Sequence, residues 1–407
     1  MLFNLNEFLM AVSRALDFVE IDIIGVTSNH SKRTAYISLR IAKKLGLGIE
    51  QLHDIVALGI LHDNGASEKG LHDRLLKSKN ELINFKSFER IKEHCIIGER
   101  NIREYPFLTD VTNVLKYHHE SYNGTGFFHL KGEEIPLLSQ IIAISDTIDR
   151  RFHLEENDIT MQEEIINFVE ENRDKLFSMR LVDAFIEAAQ DESLWRNLKN
   201  DRLEKALRYE PPQYRMELPV DEIRKITGVL SRIIDCKSEY TQRHSSDLSE
   251  KVEIMADYYK MSHEEKLKLI IAADLHDIGK LAVPNSILDS PKKLTKEEFK
   301  EIKKHPYFTR LALRDITGFE DITKWASNHH EKLNGKGYPS GKRAKDLDFN
   351  ARLIACLDIY EALTENRPYR KALSHVVAMN ILNNMRDNGF IDARITNDIN
   401  YVFSRLA

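Results

Sequence analysis

The chain has 407 residues, too many for one ordinary hydrophobic core, so two domains are the first expectation. Apolar residues make up 42% and charged residues 30%, enough for packed cores under a polar surface, which excludes disorder as the main state. A formal charge of -5 gives no general attraction for nucleic acid or anionic lipid, which argues against a nucleic-acid polymer as partner; any phosphate ligand must be caught locally.

From the start of the chain, Met1–Glu20 is apolar in places but interrupted by Asn4, Glu7, Arg14 and Asp17, so it reads as a helix and not as a signal peptide. Ile55, Leu58, Ile60 and Leu61 recur at helical spacing ahead of His62. Met161–Gln190 reads as one charged amphipathic helical run, with Glu163, Glu164, Glu170 and Glu171 on a solvated face. Pro211-Pro212 and Pro219 break that pattern and place a boundary: a first domain over 1–209, a linker over 210–217 and a second domain over 218–407. Ile223, Ile226, Leu230, Ile233 and Ile234 resume the helical period. The stretch LIIAADLHDIGK reads as a buried helix ending in His276 and Asp277, with Lys280 one turn beyond on the same face. The charge run from Lys292 to Lys304 reads as a helix face in solvent. Strand-like alternation is missing, and the fold class expected is all-α.

No stretch of about 18 apolar residues occurs, so neither a membrane span nor a membrane partner is expected. Cys95, Cys236 and Cys356 lack CxxC or zinc-type spacing and read as reduced core thiols of a cytoplasmic protein.

The two halves repeat each other. His30 in NHSKR answers to His244 in RHSSD, and His62-Asp63 to His276-Asp277. His94 answers to His305, His118-His119-Glu120 to His329-His330-Glu331, and Asp146 to Asp358. Across these landmarks the offset stays between 211 and 214 residues, as expected of an internal duplication with a small insertion or deletion. In the second half, His244, His276, Asp277, His305, His329, His330 and Asp358 make a set of five histidines and two aspartates without a cysteine. Imidazole with carboxylate suits iron, manganese or zinc and argues against a structural zinc knot. Seven ligands exceed one ion and fit two, bridged by a carboxylate that spacing assigns to Asp277. Lys280 beside them would hold an anion, and a pair of divalent ions can turn water into a nucleophile while stabilising charge on a phosphoryl oxygen. The chemistry indicated is phosphoester hydrolysis without a protein nucleophile.

LHDIGK, HHEKLNGKGYP and DIYEALTENRPYR together, in order between Leu275 and Arg370, resemble the HD-GYP phosphodiesterases of the HD-domain superfamily. The resemblance implies tandem HD-type helical domains and hydrolysis of a 3',5'-cyclic dinucleotide, cyclic di-GMP first, to the linear dinucleotide and onward to GMP. It implies that His244, His276, Asp277, His305, His329, His330 and Asp358 hold two iron or manganese ions and that Lys280 contacts phosphate, the catalytic pair being Asp277 and Lys280. It further implies that Gly337, Tyr338 and Pro339 shape the pocket and that Arg367 and Arg370 reach phosphates or bases; salt bridges to Glu361 or Glu365 are their structural alternative. Two departures stand out: the usual aspartate of the HHExxDG segment is Asn334, and the position of a third-metal glutamate is Tyr240, so two metals are expected, not three.

In the first half His30, His62, Asp63, His94, His118, His119 and Asp146 keep the ligand types of a second metal site. Lys280 is answered by Ala66, Tyr338-Pro339 by Phe127-Phe128, and nothing follows Asp146 that is like RPYR. This half resembles a divergent HD domain, with a regulatory or dimerising metal site as the preferred expectation and a second hydrolase as the alternative. A duplicated helical domain is compatible with pseudo-dimer packing within one chain and with a homodimer. Two competing functions remain for the whole: a cyclic-dinucleotide sensor without turnover, and an HD-type hydrolase of another nucleotide.

Overall fold

The structure, a computed structural model, describes residues 1–13, 29–67, 85–152, 154–235, 244–288, 294–365 and 370–405. Two compact units result: Asn4–Met216, hereafter the first unit, and Glu217–Ala407 together with Met1–Phe3, the second. Among the described residues the strands are the two-residue β1 (Leu2–Phe3) and β2 (Met216–Glu217); everything else regular is helical. No described helix is long and apolar enough to cross a membrane.

In the first unit α1 covers residues 5–13, and the remainder of Met1–Glu20 lies outside the described residues. Then come α2 (His30–Lys44), α3 (Ile49–Leu61), α4 (Phe85–Asn101), α5 (Leu137–Arg151), α6 (Ile159–Glu171), α7 (Met179–Ala189), α8 (Glu192–Asn197) and α9 (Asn200–Tyr209). Helix α2 is the centre: it packs on α3, α5 and α7, and every residue from His30 to Ala42 is buried. Such a helix can hold arginines only if they are paired. Arg33 meets Asp149 at 2.5 Å, and Arg40 meets Asp191 at 2.5 Å and donates to the Tyr36 hydroxyl at 2.7 Å.

The run Met161–Gln190 is two helices, not one. The Asn172 side chain bonds back to Phe168 O (2.8 Å), Asp174 takes a left-handed φ of 55°, and α7 opens after Ser178. Short polar side chains that bond their own backbone compete with the helix and turn the chain here.

The second unit contains α10 (Val220–Asp235), α11 (His244–Tyr258), α12 (His263–Leu275), α13 (Asn285–Leu288), α14 (Lys296–Ile302), α15 (His305–Leu313), α16 (Glu320–Ser327), α17 (Phe349–Thr364), α18 (His375–Asp387) and α19 (Ala393–Phe403). Ser262 caps α12 by accepting from the Glu265 amide at 3.2 Å. Leu267 and Leu269–Leu275 are buried, each large aliphatic contributing roughly 1.5–3 kcal/mol of burial, and this packs α12 against α10, α11 and α16.

Helix α12 ends with His276 as its cap, and the chain tightens into a 3-10 turn over Ile278–Ala282 instead of carrying Lys280 up the same helix face. The reason is α15, which lies on the turn: a Cβ at Gly279 would sit 2.0 Å from His305 O. Thr309 on α15 donates to His276 O (2.8 Å) and accepts from Gly279 N (3.1 Å), satisfying groups that the helix end leaves open. In the first unit Gly65 stands in the same relation to His94 O, again at 2.0 Å.

Candidate metal centres

In the second unit the end of α12, the start of α15, the segment after α16 and the interior of α17 bring their imidazoles and carboxylates together. The Nδ1 atoms of His276, His305 and His329 lie 2.6, 2.7 and 2.6 Å from the carbonyl oxygens of Ala273, Ile302 and Ala326, each three residues back. A carbonyl only accepts, so Nδ1 carries the hydrogen and Nε2 presents its lone pair inward, the orientation a metal ligand needs. Asp277 divides its carboxylate between two groups: Oδ2 faces His276 Nε2 at 3.2 Å, while Oδ1 faces His305 at 3.2 Å and His329 at 3.9 Å. Asp358 does likewise, Oδ1 toward His276 at 3.9 Å and Oδ2 toward His330 Nδ1 at 3.5 Å. Two ligand groups follow, His276-Asp277-His329 and His305-His329-His330. His244 opens α11, but its side chain lies outside the described residues.

Electrostatics agree with a cation site. Burial pulls His305 down to about 3 and His329 to about 4, so both stay neutral at pH 7. Burial would raise the Asp277 carboxyl, yet His276 and Lys280 hold it well below the usual carboxylate range. The Nε2 atoms of His305 and His329 approach to 3.0 Å with both lone pairs inward, an arrangement that a shared cation relieves.

The first unit repeats this. His62 and His118 fix their Nδ1 hydrogens on Gly59 O (2.9 Å) and Leu115 O (2.5 Å). Asp63 Oδ2 faces His62 at 3.4 Å and Oδ1 faces His94 at 3.2 Å and His118 at 3.7 Å. Asp146 joins His30 (3.1 Å), His62 (3.6 Å) and His119 (3.6 Å). The Nε2 atoms of His30, His62 and His119 and both Asp63 oxygens are buried without a hydrogen-bond partner among the described residues, a donor set that fits divalent ions.

Three features here escaped the sequence reading. Asp149 accepts from His30 Nδ1 at 2.6 Å and is itself clamped by Arg33, so it orients that imidazole. Cys95 is a buried thiol as expected, but its sulfur lies 3.6 Å from His94 Nε2 within the His94-His118-His119 group. Arg150 faces Asp146 at 3.7 Å. A polar residue one turn beyond a ligand on the same helix was the only available signal for Asp149 and Arg150.

Against known proteins, the HD domain family is matched twice, over residues 228–395 and 27–151. The 3'3'-cGAMP-specific phosphodiesterase 1 of Vibrio cholerae serotype O1 is 28% identical over 405 residues, covering 96% of this chain and 90% of that protein. This chain belongs to the HD-GYP family. A cyclic di-GMP phosphodiesterase response regulator of Xanthomonas campestris pv. campestris is 32% identical over 154 residues, 37% of this chain and 40% of that protein. The crystal structure of the cyclic GMP-AMP specific phosphodiesterase V-cGAP3 of V. cholerae aligns over 99% of this chain and 98% of its own with a TM-score of 0.70 at 24% identity, a likeness of fold. Two all-α HD domains in tandem are therefore the architecture.

The mouth of the HD-GYP centre is built on Glu331. Its Oε1 accepts from Ser340 N (2.7 Å) and its Oε2 from Lys342 N (2.9 Å), tying down the loop that carries Gly337-Tyr338-Pro339. A Cβ at Gly337 would lie 2.3 Å from Lys332 N, so only glycine lets the loop close on Glu331. Tyr338 then lies with its ring 4.8 Å from His330, and Lys280 Nζ sits 2.5 Å from Asp277 Oδ2. Lys303 belongs to the charge run assigned to solvent, yet its ammonium stands 5.2 Å over the Tyr338 ring. Arg370 donates to Ala362 O (2.7 Å), Leu363 O (2.9 Å) and Lys371 O (3.0 Å), capping α17. Arg367 lies outside the described residues.

Proposed function

We propose that the second unit hydrolyses a 3',5'-cyclic dinucleotide to its linear form, at a centre in which His276, Asp277, His305, His329, His330 and Asp358, with His244, hold two divalent ions, iron or manganese. The observation that carries this is the divided carboxylate of Asp277, one oxygen toward His276 and the other toward His305 and His329. The ions supply water activation and Lewis-acid polarisation of a phosphoryl oxygen. The chain's own residues do the rest. Lys280, fixed on Asp277, places a positive charge where phosphoryl charge develops. Tyr338, against His330, gives a flat apolar wall on which a base can stack.

The sequence points first to cyclic di-GMP, but the alignments favour 3'3'-cGAMP as the better substrate. The relative named for it matches 96% of the chain, both units included, whereas the cyclic di-GMP relative matches 37%. The first unit, on this reading, is a metal-binding regulatory domain. Incubation with each dinucleotide and Mn(II) or Fe(II), anaerobically and in air, followed by chromatography, tests the proposal. Linear product with a higher kcat/KM for 3'3'-cGAMP is expected. Unchanged substrate under both atmospheres, with tight binding, would instead identify a sensor.

A further inference from the structure

The first unit offers a donor that the second lacks. Cys95 follows His94 on α4, and its sulfur lies 3.6 Å from His94 Nε2. The position answering to it in the second unit is Pro306, whose side chain has no donor atom. A buried cysteine alone is an ordinary small apolar filler, and Cys356 on α17 is such a residue, outside every metal-competent group among the described residues. Cys95 differs because imidazoles and a carboxylate surround its sulfur.

One ligand atom from each of His94, Cys95, His118 and His119 lies within 4.8 Å of the other three. Nε2 of His118 faces Nε2 of His94 at 3.4 Å, and its Nδ1 hydrogen is held by Leu115 O, so its lone pair turns inward. A further donor points into the same place: Asp63 Oδ1 stands 3.2 Å from His94 Nε2. Asp63 is only 2% exposed, and both its oxygens are buried without a hydrogen-bond partner among the described residues, as is Nε2 of His119. A buried carboxylate in that state calls for a cation. In the second unit the matching group is His305-His329-His330, imidazoles alone. Sulfur changes what such a group prefers. Imidazole with carboxylate takes manganese, iron or zinc, whereas an added thiolate selects the softer ion, zinc, and fills a coordination position that a hydrolytic centre keeps for water.

We propose that Cys95 is a metal ligand, completing with His94, His118 and His119 a closed nitrogen-and-sulfur site for zinc in the first unit. The thiol proton leaves to solvent as the ion binds, and the ion takes its place on sulfur. The two units of one chain then load different metals. The inference rests on the metal-binding reading of the first unit and is independent of cleavage by the second. Its test uses the full-length protein with Co(II) as a spectroscopic stand-in for zinc. A sulfur-to-cobalt charge-transfer band in the near ultraviolet is expected on titration, and Cys95→Ser and Cys95→Ala are each expected to abolish it with the helical circular dichroism unchanged. Equilibrated with equal Zn(II) and Mn(II), the wild-type protein is expected to take zinc in the first unit, and Cys95→Ser to lose that preference by about tenfold or more. Zinc X-ray absorption of the wild-type protein needs no variant and is expected to show a sulfur neighbour at about 2.3 Å. A band that persists in both Cys95 variants overturns the inference alone, as does cobalt held by the first unit with no sulfur band and no sulfur neighbour at zinc. Cobalt content unchanged by His94→Ala together with His118→Ala means that the first unit holds no ion; the metal reading of that unit then falls and the inference with it.

Discussion

The two units share a scaffold of histidines and aspartates that could hold metal, and differ in several side chains placed around it. Both use an imidazole-carboxylate pair at a helix end, a glycine that lets the next histidine helix lie on the turn, and a glutamate after the paired histidines that ties down a loop. Glu120 accepts from Phe128 and Leu130, and Glu331 from Ser340 and Lys342, the register slipping by one where Pro339 has no amide to offer. The additions diverge: lysine against alanine at 280 and 66, alanine against arginine at 362 and 150, proline against cysteine at 306 and 95. Even the buried acid three residues after the second aspartate is held differently, Asp149 by Arg33 and Glu361 by Lys251. The histidine and aspartate positions thus follow from helix packing that both units share, whereas the side chains around them differ.

The sharpest way to break this comparison is to remove the divided carboxylate from each unit in turn. Asp277→Ala is expected to lower dinucleotide cleavage by about a thousandfold or more, because it removes a ligand group and the partner of Lys280 together. Asp63→Ala should leave the initial rate within about threefold and lower only the metal content of the first unit. Equal losses in both variants would mean that the first unit takes part in the chemistry.

A second difference is electrostatic and shows in the metal-free protein. In the second unit His305 and His329 titrate near 3 and 4 when folded, below the unfolded value of about 6.5. Their neutral forms suit the fold, so the stability they permit is present above pH 6.5 and is lost as pH falls through that value, by up to about 1.4 kcal/mol per pH unit for each histidine. In the first unit burial works against a charged His62, but Asp63 and Asp146 prevail and push it up to about 9. The stability it contributes is complete below pH 6.5 and is lost as pH rises through 9. Each unit has one tryptophan, Trp195 in the first and Trp325 in the second. Urea unfolding of chelated Trp325→Phe and Trp195→Phe proteins therefore reads the units separately. Between pH 7 and 9 the first unit is expected to weaken and the second to hold; a flat profile for the first unit would refute the pairing of His62 with its two carboxylates.

Much of the site was legible in the sequence because histidine and aspartate doublets at a constant offset are a local signal. The structure brings His276, Asp277, His305, His329, His330 and Asp358 together as that spacing implies. What was not legible comes from packing between distant elements. Nothing near Arg33 announces that it will clamp Asp149, more than a hundred residues away, and Cys95 reads as filler until His118 and His119 are brought beside it. The single helix expected over Met161–Gln190 failed for a local reason, since its apolar period continues across Asn172 and Asp174 while their side chains and backbone end the helix.

Lys303 shows the same limit at the mouth and carries the smallest expected effect. In sequence it is one lysine among many in a charged run, and the structure sets its ammonium 4.7 Å over Phe299 and 5.2 Å over Tyr338, the ring that stands against His330. A cation held on an aromatic face is partly desolvated and kept in place, so it can meet a phosphate or a base that stacks on the same tyrosine. Lys92 answers to it in the first unit, with its ammonium 4.6 Å over Phe128. Lys303→Ala is expected to raise KM for the cyclic dinucleotide about three- to tenfold with little change in kcat, and Lys303→Arg to restore most of it. Lys92→Ala should leave both constants alone. A fall in kcat with KM unchanged would place Lys303 among the supports of the Tyr338 loop, and equal effects from both lysines would erase the distinction between a substrate-binding mouth and its counterpart in the first unit.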